Sequence, residues 1–190
     1  MTQSGTSGSD PEPVPSLSQF QGEHDRMVAL FSTYQCGLMS LNLKEARIGL
    51  ECLRYELVVH MQVEDSVLMP IYKGLEQHPE GGAPLFFEKE HAKLERLLDG
   101  LFSDLEGLER LDGVGELARA DALLVIEHGF TFQHLFQHHS SREDKAFYPS
   151  ISEGMTVAER QAIWRRMDIA EAGVRASLGR PPSMADITQE

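Results

Sequence analysis

Apolar residues recur along this chain at steps of three and four residues. This spacing places side chains on one face of an α-helix, whereas the sustained alternation that indicates a β-strand is almost missing. Four such stripes can be followed through the sequence. They consist of Phe20, His24, Met27, Phe31 and Leu38; of Leu53, Leu57, His60, Glu64, Leu68 and Ile71; of Phe87, His91, Leu94, Leu98, Leu101 and Leu105; and of Leu124, His128, Phe132, Leu135, His139, Glu143 and Phe147. The pattern predicts an all-α chain with four amphipathic helices.

Helix-breaking segments separate the four stripes. Asn42, followed three residues later by Glu45, resembles a capping box, and HPEGGAP (78–84) and LDGVG (111–115) predict turns. Four helices joined by short connections predict an up-down-up-down four-helix bundle. A second capping box, TVAE, begins at Thr156 and predicts an additional C-terminal helix that runs towards Val174 and packs outside the bundle.

Composition divides the chain into four parts. Residues 1–17 and 179–190 are rich in small and polar residues and proline, so we expect both ends to be disordered. Residues 18–150 are expected to form the bundle, and residues 151–178 the C-terminal helix.

Six polar residues occupy positions within the apolar stripes. They are His24, His60, Glu64, His91, His139 and Glu143. Burying imidazoles and carboxylates without partners would cost several kcal/mol for each group. A cation at the centre of the bundle would offset this cost, because both groups are good ligands for transition metals. We therefore predict that these six residues bind metal.

The motif His-x-x-x-Glu occurs twice, at His60 with Glu64 and at His139 with Glu143. It places an imidazole and a carboxylate about 6 Å apart along one helix face, so the carboxylate can bridge to a second ion. The motif belongs to an internal repeat, in which HMQVEDSVLMP (60–70) matches HSSREDKAFYP (139–149) and EHDRMVALF (23–31) resembles EHAKLERLL (90–98). The repeat indicates two related helical hairpins.

The histidines of each predicted hairpin are equidistant from its turn. The midpoint of His24 and His60 is residue 42, and the midpoint of His91 and His139 is residue 115. Residues equidistant from the turn of an antiparallel hairpin lie at the same depth. We therefore expect the two histidines of each hairpin to lie level with each other.

The net charge of −13 argues against nucleic acids and anionic membranes as partners, because both require a basic surface. The sequence contains no run of 18 apolar residues and no recognisable secretory signal. We therefore expect a cytoplasmic protein in which Cys36 and Cys52 are buried thiols rather than a disulfide.

The order His, His-x-x-x-Glu, His, His-x-x-x-Glu on successive helices resembles the hemerythrin-like HHE cation-binding domain family over about residues 18–150. The resemblance implies a non-haem centre of two iron ions, bridged by Glu64, Glu143 and an oxo or hydroxo group. It also implies a protein that binds or senses dioxygen or nitric oxide. The alternatives are a di-iron enzyme of iron-centre repair or peroxide turnover, and an iron-dependent sensor or interaction module. Manganese, zinc or mixed centres suit the same donors.

The chain departs from oxygen-carrying hemerythrins, which have five histidines and a bridging aspartate. Glu95 stands one turn after His91, where they have a histidine, and Glu143 replaces the aspartate. These differences argue against a dedicated oxygen carrier. A fifth ligand could come from Glu95 or Glu56, or less readily from Tyr55 or His134, and an ordinary surface role is the alternative for each.

Three further residues lie near the motifs in sequence. His128 precedes His139 by eleven residues, about 16 Å along a helix, so it cannot reach the same centre. We expect a hydrogen-bonded core histidine there, with a gate or a proton path as the alternative. Glu23 and Glu90 each precede a predicted ligand and either support the ligands from outside or lie on a solvated face.

Overall fold

The computed structural model describes residues 20–111 and 116–180, and all regular structure within them is helical. The helices are α1 (Phe20–Ser40), α2 (Leu43–Val63), α3 (Met69–Lys73), α4 (Pro84–Arg110), α5 (Glu116–Arg142), α6 (Tyr148–Ser152) and α7 (Val157–Leu178). One π-helical turn, Glu64–Leu68, joins α2 to α3, and another, Glu143–Phe147, joins α5 to α6. The all-α prediction is confirmed. The predicted leader, most of the predicted tail and the LDGVG turn after its first residue lie outside the described residues.

The predicted helix boundaries depend on local hydrogen bonds. Asn42 precedes α2, and its side-chain oxygen accepts the backbone N–H of Glu45 at 3.1 Å. Thr156 and Glu159 form a reciprocal capping box at the start of α7. This helix runs past Val174 to Leu178, and the residue that follows it, Gly179, has a φ of 77°, in the left-handed region that favours glycine.

Helices α1 and α2 approach each other closely because glycines face the partner backbone. A Cβ atom added at Gly37 would lie 2.4 Å from the backbone nitrogen of Ala46, and one added at Gly49 would lie 2.8 Å from that of Tyr34. Helix α4 also packs on α5, α1 on α5, and α2 on α4, which makes a helical bundle.

Two groups of buried apolar residues fill the interior, and the predicted metal ligands lie where they meet. His91, for example, lies between Leu94 of one group and Phe87 of the other. Helix α7 packs against α2 and adds Ile163 and Met167 to the second group. The six polar residues are therefore enclosed by apolar packing on both sides.

The inward face of α5 differs from the predicted stripe. Leu124 is 54% exposed and His128 is exposed, and the neighbouring residues Val125 and Gly129 are buried instead, whereas Phe132 is buried as the stripe predicts. Gly129 explains the difference, because a Cβ atom there would lie 3.3 Å from the ring of Phe31. A pattern of apolar side chains cannot reveal an inward-facing glycine, because glycine has no side chain.

The cysteine prediction is half correct. Cys36 and Cys52 are both free thiols, but only Cys52 is buried, whereas Cys36 is exposed on α1. Among the described residues, no helix is both long and apolar enough to cross a membrane.

Candidate metal centre

The six predicted ligands are brought together in the interior. They are His24, His60, Glu64, His91, His139 and Glu143, and none of them is more than 5% exposed. We call them the His/Glu cluster. They come from α1, α2, α4, α5 and the first residue of each π-helical turn.

The His/Glu cluster divides into two groups whose ligand atoms lie within 4.8 Å of one another. The four-residue group consists of Glu64, His91, His139 and Glu143, and the three-residue group consists of His24, His60 and Glu143. Glu143 belongs to both groups. The arrangement can therefore hold two ions side by side with Glu143 between them.

The two oxygens of Glu143 face opposite groups. Oε1 lies 2.7 Å from Nε2 of His139, and Oε2 lies 3.1 Å from Nε2 of His24. A carboxylate with one oxygen towards each group is suited to bridging two cations.

Glu64 is held differently. Its Oε2 lies 3.3 Å from Nε2 of His91 and 3.5 Å from Nε2 of His60. Its Oε1 accepts a hydrogen bond of 2.6 Å from the hydroxyl of Tyr148, a buried residue that the sequence reasoning missed. The sequence contains one signal for this hydrogen bond, which is a tyrosine nine positions after His139. A tyrosine that is buried needs a hydrogen-bond partner for its hydroxyl.

Each glutamate of the His/Glu cluster begins a π-helical turn, which the sequence reasoning also missed. The backbone carbonyls of Glu64 and Glu143 accept the N–H of the residue five positions later, Met69 and Tyr148. Pro70 and Pro149 follow directly. Because proline has no N–H and its ring clashes with the carbonyl four residues earlier, an ordinary α-helical bond cannot form there. The wider turn occurs where each carboxylate enters the interior.

Carboxylates outside the His/Glu cluster face Nδ1 of all four histidines. The pairs are Glu23 with His60 at 3.1 Å, Glu90 with His139 at 3.1 Å, Asp65 with His91 at 3.0 Å, and Asp144 with His24 at 3.8 Å. A carboxylate can only accept, so Nδ1–H is the donor in the three hydrogen-bonded pairs and Nε2 is left to face the interior. This orientation is the one that metal-binding imidazoles use. Of the two alternatives for Glu23 and Glu90, the structure shows the first: both carboxylates hold predicted ligands in place from outside the His/Glu cluster.

In the absence of metal, the histidines and glutamates of the His/Glu cluster stabilise each other's charged forms. Burial lowers the pKa of His60, but Glu64, Glu143 and Glu23 outweigh it and hold this pKa well above the usual value. Burial raises the pKa of Glu143, but His139, His24 and His60 reverse the effect and hold it well below the usual value. The carboxylates thus attract positive charge, which protons supply when no metal is bound.

Several inward-facing atoms indicate that a cation fits. Five of them make no hydrogen bond among the described residues, although oppositely charged groups lie close by: Oε2 of Glu64, both side-chain oxygens of Glu143, and Nε2 of His91 and of His139. Buried polar atoms without hydrogen bonds are rare and need an explanation. A divalent cation would coordinate these lone pairs, and the mixture of imidazole and carboxylate suits iron, manganese or zinc.

The candidate fifth ligands do not join either group. Glu56 is paired with Arg175 at 2.9 Å, and the guanidinium of Arg175 lies over the ring of Tyr55. Glu95 and His134 are exposed. The surface role that was the alternative for Glu95 and His134 is the one the structure shows.

The expectation of a core histidine at position 128 is wrong. The side chain of His128 is 65% exposed and bonds Asp104 at 3.0 Å. Gly129, the next residue, occupies the inward-facing position of this turn, so His128 lies on the outer side of α5.

Comparison with known proteins agrees with this geometry. The family model described as the hemerythrin HHE cation binding domain matches residues 16–151, a range that includes the whole His/Glu cluster. No curated protein and no solved structure matches the chain.

Proposed function

The chain belongs to the hemerythrin HHE cation-binding domain family, and from this premise we propose that it is a non-haem di-iron protein that binds or senses a small diatomic molecule, dioxygen or nitric oxide. We further take the helical arrangement to be the up-down-up-down four-helix bundle, with α7 as an additional helix outside it. The family and the His/Glu cluster support cation binding. Two ions, iron as the metal and the diatomic ligand are our proposal.

One observation carries the proposal of two ions. Glu143 belongs to both groups of the His/Glu cluster and directs one oxygen towards each. A single ion would leave the other group without a cation, with polar atoms buried at a cost of several kcal/mol. Two ions coordinate both groups at once.

When bound, the iron pair would supply redox-active positions to which a diatomic molecule can attach. The chain supplies orientation, because the outer carboxylates hold each imidazole with Nε2 towards the interior. It also limits the size of what can enter. The rings of Phe136 and Phe87 lie 6.0 Å and 6.5 Å from the His24 and His139 rings. A cavity of about 20 Å³ beside His60, lined also by Trp164 and Met167, has room for a molecule the size of water.

The test exposes the anaerobic, iron-loaded, reduced chain to dioxygen and, separately, to nitric oxide, while the visible absorption is recorded. We expect new absorption bands with at least one of the two gases. Glu143→Ala should lose them, because the variant removes the carboxylate that both groups share. His128→Ala, which changes an exposed histidine, should keep them. An unchanged spectrum of the unsubstituted iron-loaded chain with both gases would contradict the diatomic proposal.

A further inference from the structure

The carboxylate of Glu90 has a second partner besides His139. Its Oε2 lies 3.1 Å from Nδ1 of His139, and its Oε1 lies 3.2 Å from Nη1 of Arg142 on α5. The side chains of Glu90 and Arg142 are only 12% and 19% exposed, so solvent and salt screen this ion pair little. Both oxygens of Glu90 are therefore held, one by the histidine that it orients and one by an arginine.

Two further contacts hold Arg142 itself in place. Its Nη2 donates a hydrogen bond of 2.9 Å to Nε2 of His138, one turn earlier on α5. Its guanidinium lies over the ring of Phe86 at 5.3 Å, and Phe86 precedes Glu90 by one turn on α4. A planar guanidinium can bond a carboxylate and lie over an aromatic ring at the same time. Arg142 thus connects α5 to the part of α4 that carries Glu90.

The first half of the internal repeat has no equivalent of this arginine. When the two halves are aligned, Val63 takes the place of Arg142. Val63 is buried and lines the small cavity beside His60, together with Met167 of α7. A valine cannot form an ion pair with Glu23, the outer carboxylate of this half. Arg142 is therefore a feature of the second hairpin and not of the repeated motif.

We propose that Arg142 is a positioning residue for His139 and that it acts through Glu90. The proposal rests on the proposed function, in which His139 is a metal ligand. An imidazole that coordinates a cation through Nε2 depends on the acceptor at Nδ1 for its ring orientation, and Glu90 is this acceptor. Removing the arginine frees Oε1 of Glu90, so the carboxylate turns towards water more readily and releases the Nδ1–H of His139.

The test measures how fast the Nδ1–H protons of the histidines exchange with water in the zinc-loaded full-length chain. Isotope labelling of histidine makes these protons visible by NMR, because zinc is diamagnetic. Glu90→Ala and Glu23→Ala assign the signals of His139 and His60, since each variant removes the acceptor of one of them.

Arg142→Gln should speed the exchange of the His139 Nδ1–H by roughly tenfold or more, the change expected when a hydrogen bond to a charged group is lost. Arg142→Met, a second variant without the charge, should act in the same way. The Nδ1–H of His60, which is bonded to Glu23, should keep its rate. Arg142→Lys keeps the positive charge and should restore most of the protection, which a general loss of packing at position 142 would not allow.

A double variant shows whether the arginine acts through the carboxylate. The Nδ1–H of His139 should exchange no faster in Glu90→Ala with Arg142→Gln than in Glu90→Ala alone. The effects of two residues that share one network of contacts do not add, whereas independent effects do. A further increase in the double variant would overturn the route through Glu90.

Arg54→Gln is the matched control. Arg54 also connects two helices, because it pairs with Asp99 on α4 and its guanidinium lies over the ring of Phe102 at 4.0 Å. Asp99 is not one of the carboxylates that face Nδ1 of a predicted ligand, so we expect the exchange rates of both signals to be unchanged. An unchanged His139 rate in Arg142→Gln and Arg142→Met, or an equal change in Arg54→Gln, would overturn the role of Arg142 and leave the proposed function standing. A chain that binds no zinc would overturn both.

Discussion

Glu90 lies directly before His91 in the chain, yet its carboxylate bonds Nδ1 of His139 on the neighbouring helix at 3.1 Å. Glu23 makes the equivalent bond from its place before His24 to His60, also at 3.1 Å. In each hairpin, a carboxylate thus connects the two helices. It precedes one predicted ligand in the sequence and orients the predicted ligand on the other helix. The repeat in the sequence is also a repeat of this connection.

Glu90→Gln should weaken metal binding without unfolding the chain. The amide still accepts the Nδ1–H of His139, but it removes the negative charge that makes the imidazole a stronger donor to metal. Changes of this kind typically lower metal affinity by about 10- to 100-fold. Competition with a chelator measures the effect. Glu88→Gln is the control, because Glu88 is partly exposed, is paired with the exposed Lys73 and is not a member of the His/Glu cluster. Equal affinities for the two variants would show that Glu90 has no orienting role.

Gly49→Ala should destabilise the bundle, because the added Cβ would lie 2.8 Å from the backbone nitrogen of Tyr34 and 3.3 Å from the backbone oxygen of Leu30. Backbone atoms cannot turn away as a side chain can, so α1 and α2 must separate. We expect a loss of about 1–3 kcal/mol in the free energy of unfolding, measured by urea denaturation.

Gly100→Ala is the opposite case on α4, because nothing lies within 4 Å of the added Cβ. Alanine is preferred to glycine in a helix by about 1 kcal/mol, so this variant should be more stable than the unsubstituted chain. A stabilised Gly49→Ala would contradict the close approach of α1 and α2.

Much of this arrangement could be predicted from the sequence, because helical periodicity and ligand chemistry act through neighbouring residues. All six members of the His/Glu cluster were identified by polar side chains within apolar stripes, and the capping box at Thr156 placed α7. Features that depend on contacts across the fold were missed. The inward face of α5 includes Gly129, which lies against Phe31 of α1, and the hydrogen bond from Tyr148 to Glu64 joins residues 84 positions apart. Neither contact leaves a periodic signal.

Helix α7 should be held mainly by apolar burial rather than by its ion pair with α2. Met167 is 2% exposed, so Met167→Ala should cost about 2–5 kcal/mol of folding stability. Arg175 bonds Glu56 at 2.9 Å, but both side chains are partly exposed to solvent, which screens the interaction. Arg175→Ala should therefore cost only about 0–1 kcal/mol. Urea denaturation of the two variants compares them, and a larger loss in Arg175→Ala would contradict this view of α7.

The metal-free chain should lose stability as the pH rises. The pKa values of His60, His91 and His139 are raised, so their contribution to stability is fully present below about 6.5 and declines as the pH rises towards the folded values. The pKa of Glu143 is lowered, so its contribution declines as the pH falls below about 4.5. Maximum stability is therefore expected between these limits.

Metal should reverse the alkaline decline, because a cation replaces the protons on the histidines. Thermal unfolding between about pH 6.5 and 9, with and without zinc, measures both effects. A metal-free chain that becomes more stable over this range would contradict the charge balance described for the His/Glu cluster.

The ratio of iron to protein tests the central claim most directly. The full-length chain, loaded anaerobically with ferrous iron and freed of excess metal, is subjected to elemental analysis beside Glu143→Ala and His134→Ala. Two irons per chain are predicted for the unsubstituted protein and for His134→Ala, whose substitution lies outside the His/Glu cluster. Glu143→Ala should retain fewer than one, because both groups lose a ligand at once. One iron or none in the unsubstituted chain, or two in Glu143→Ala, would contradict a centre in which two ions share this carboxylate.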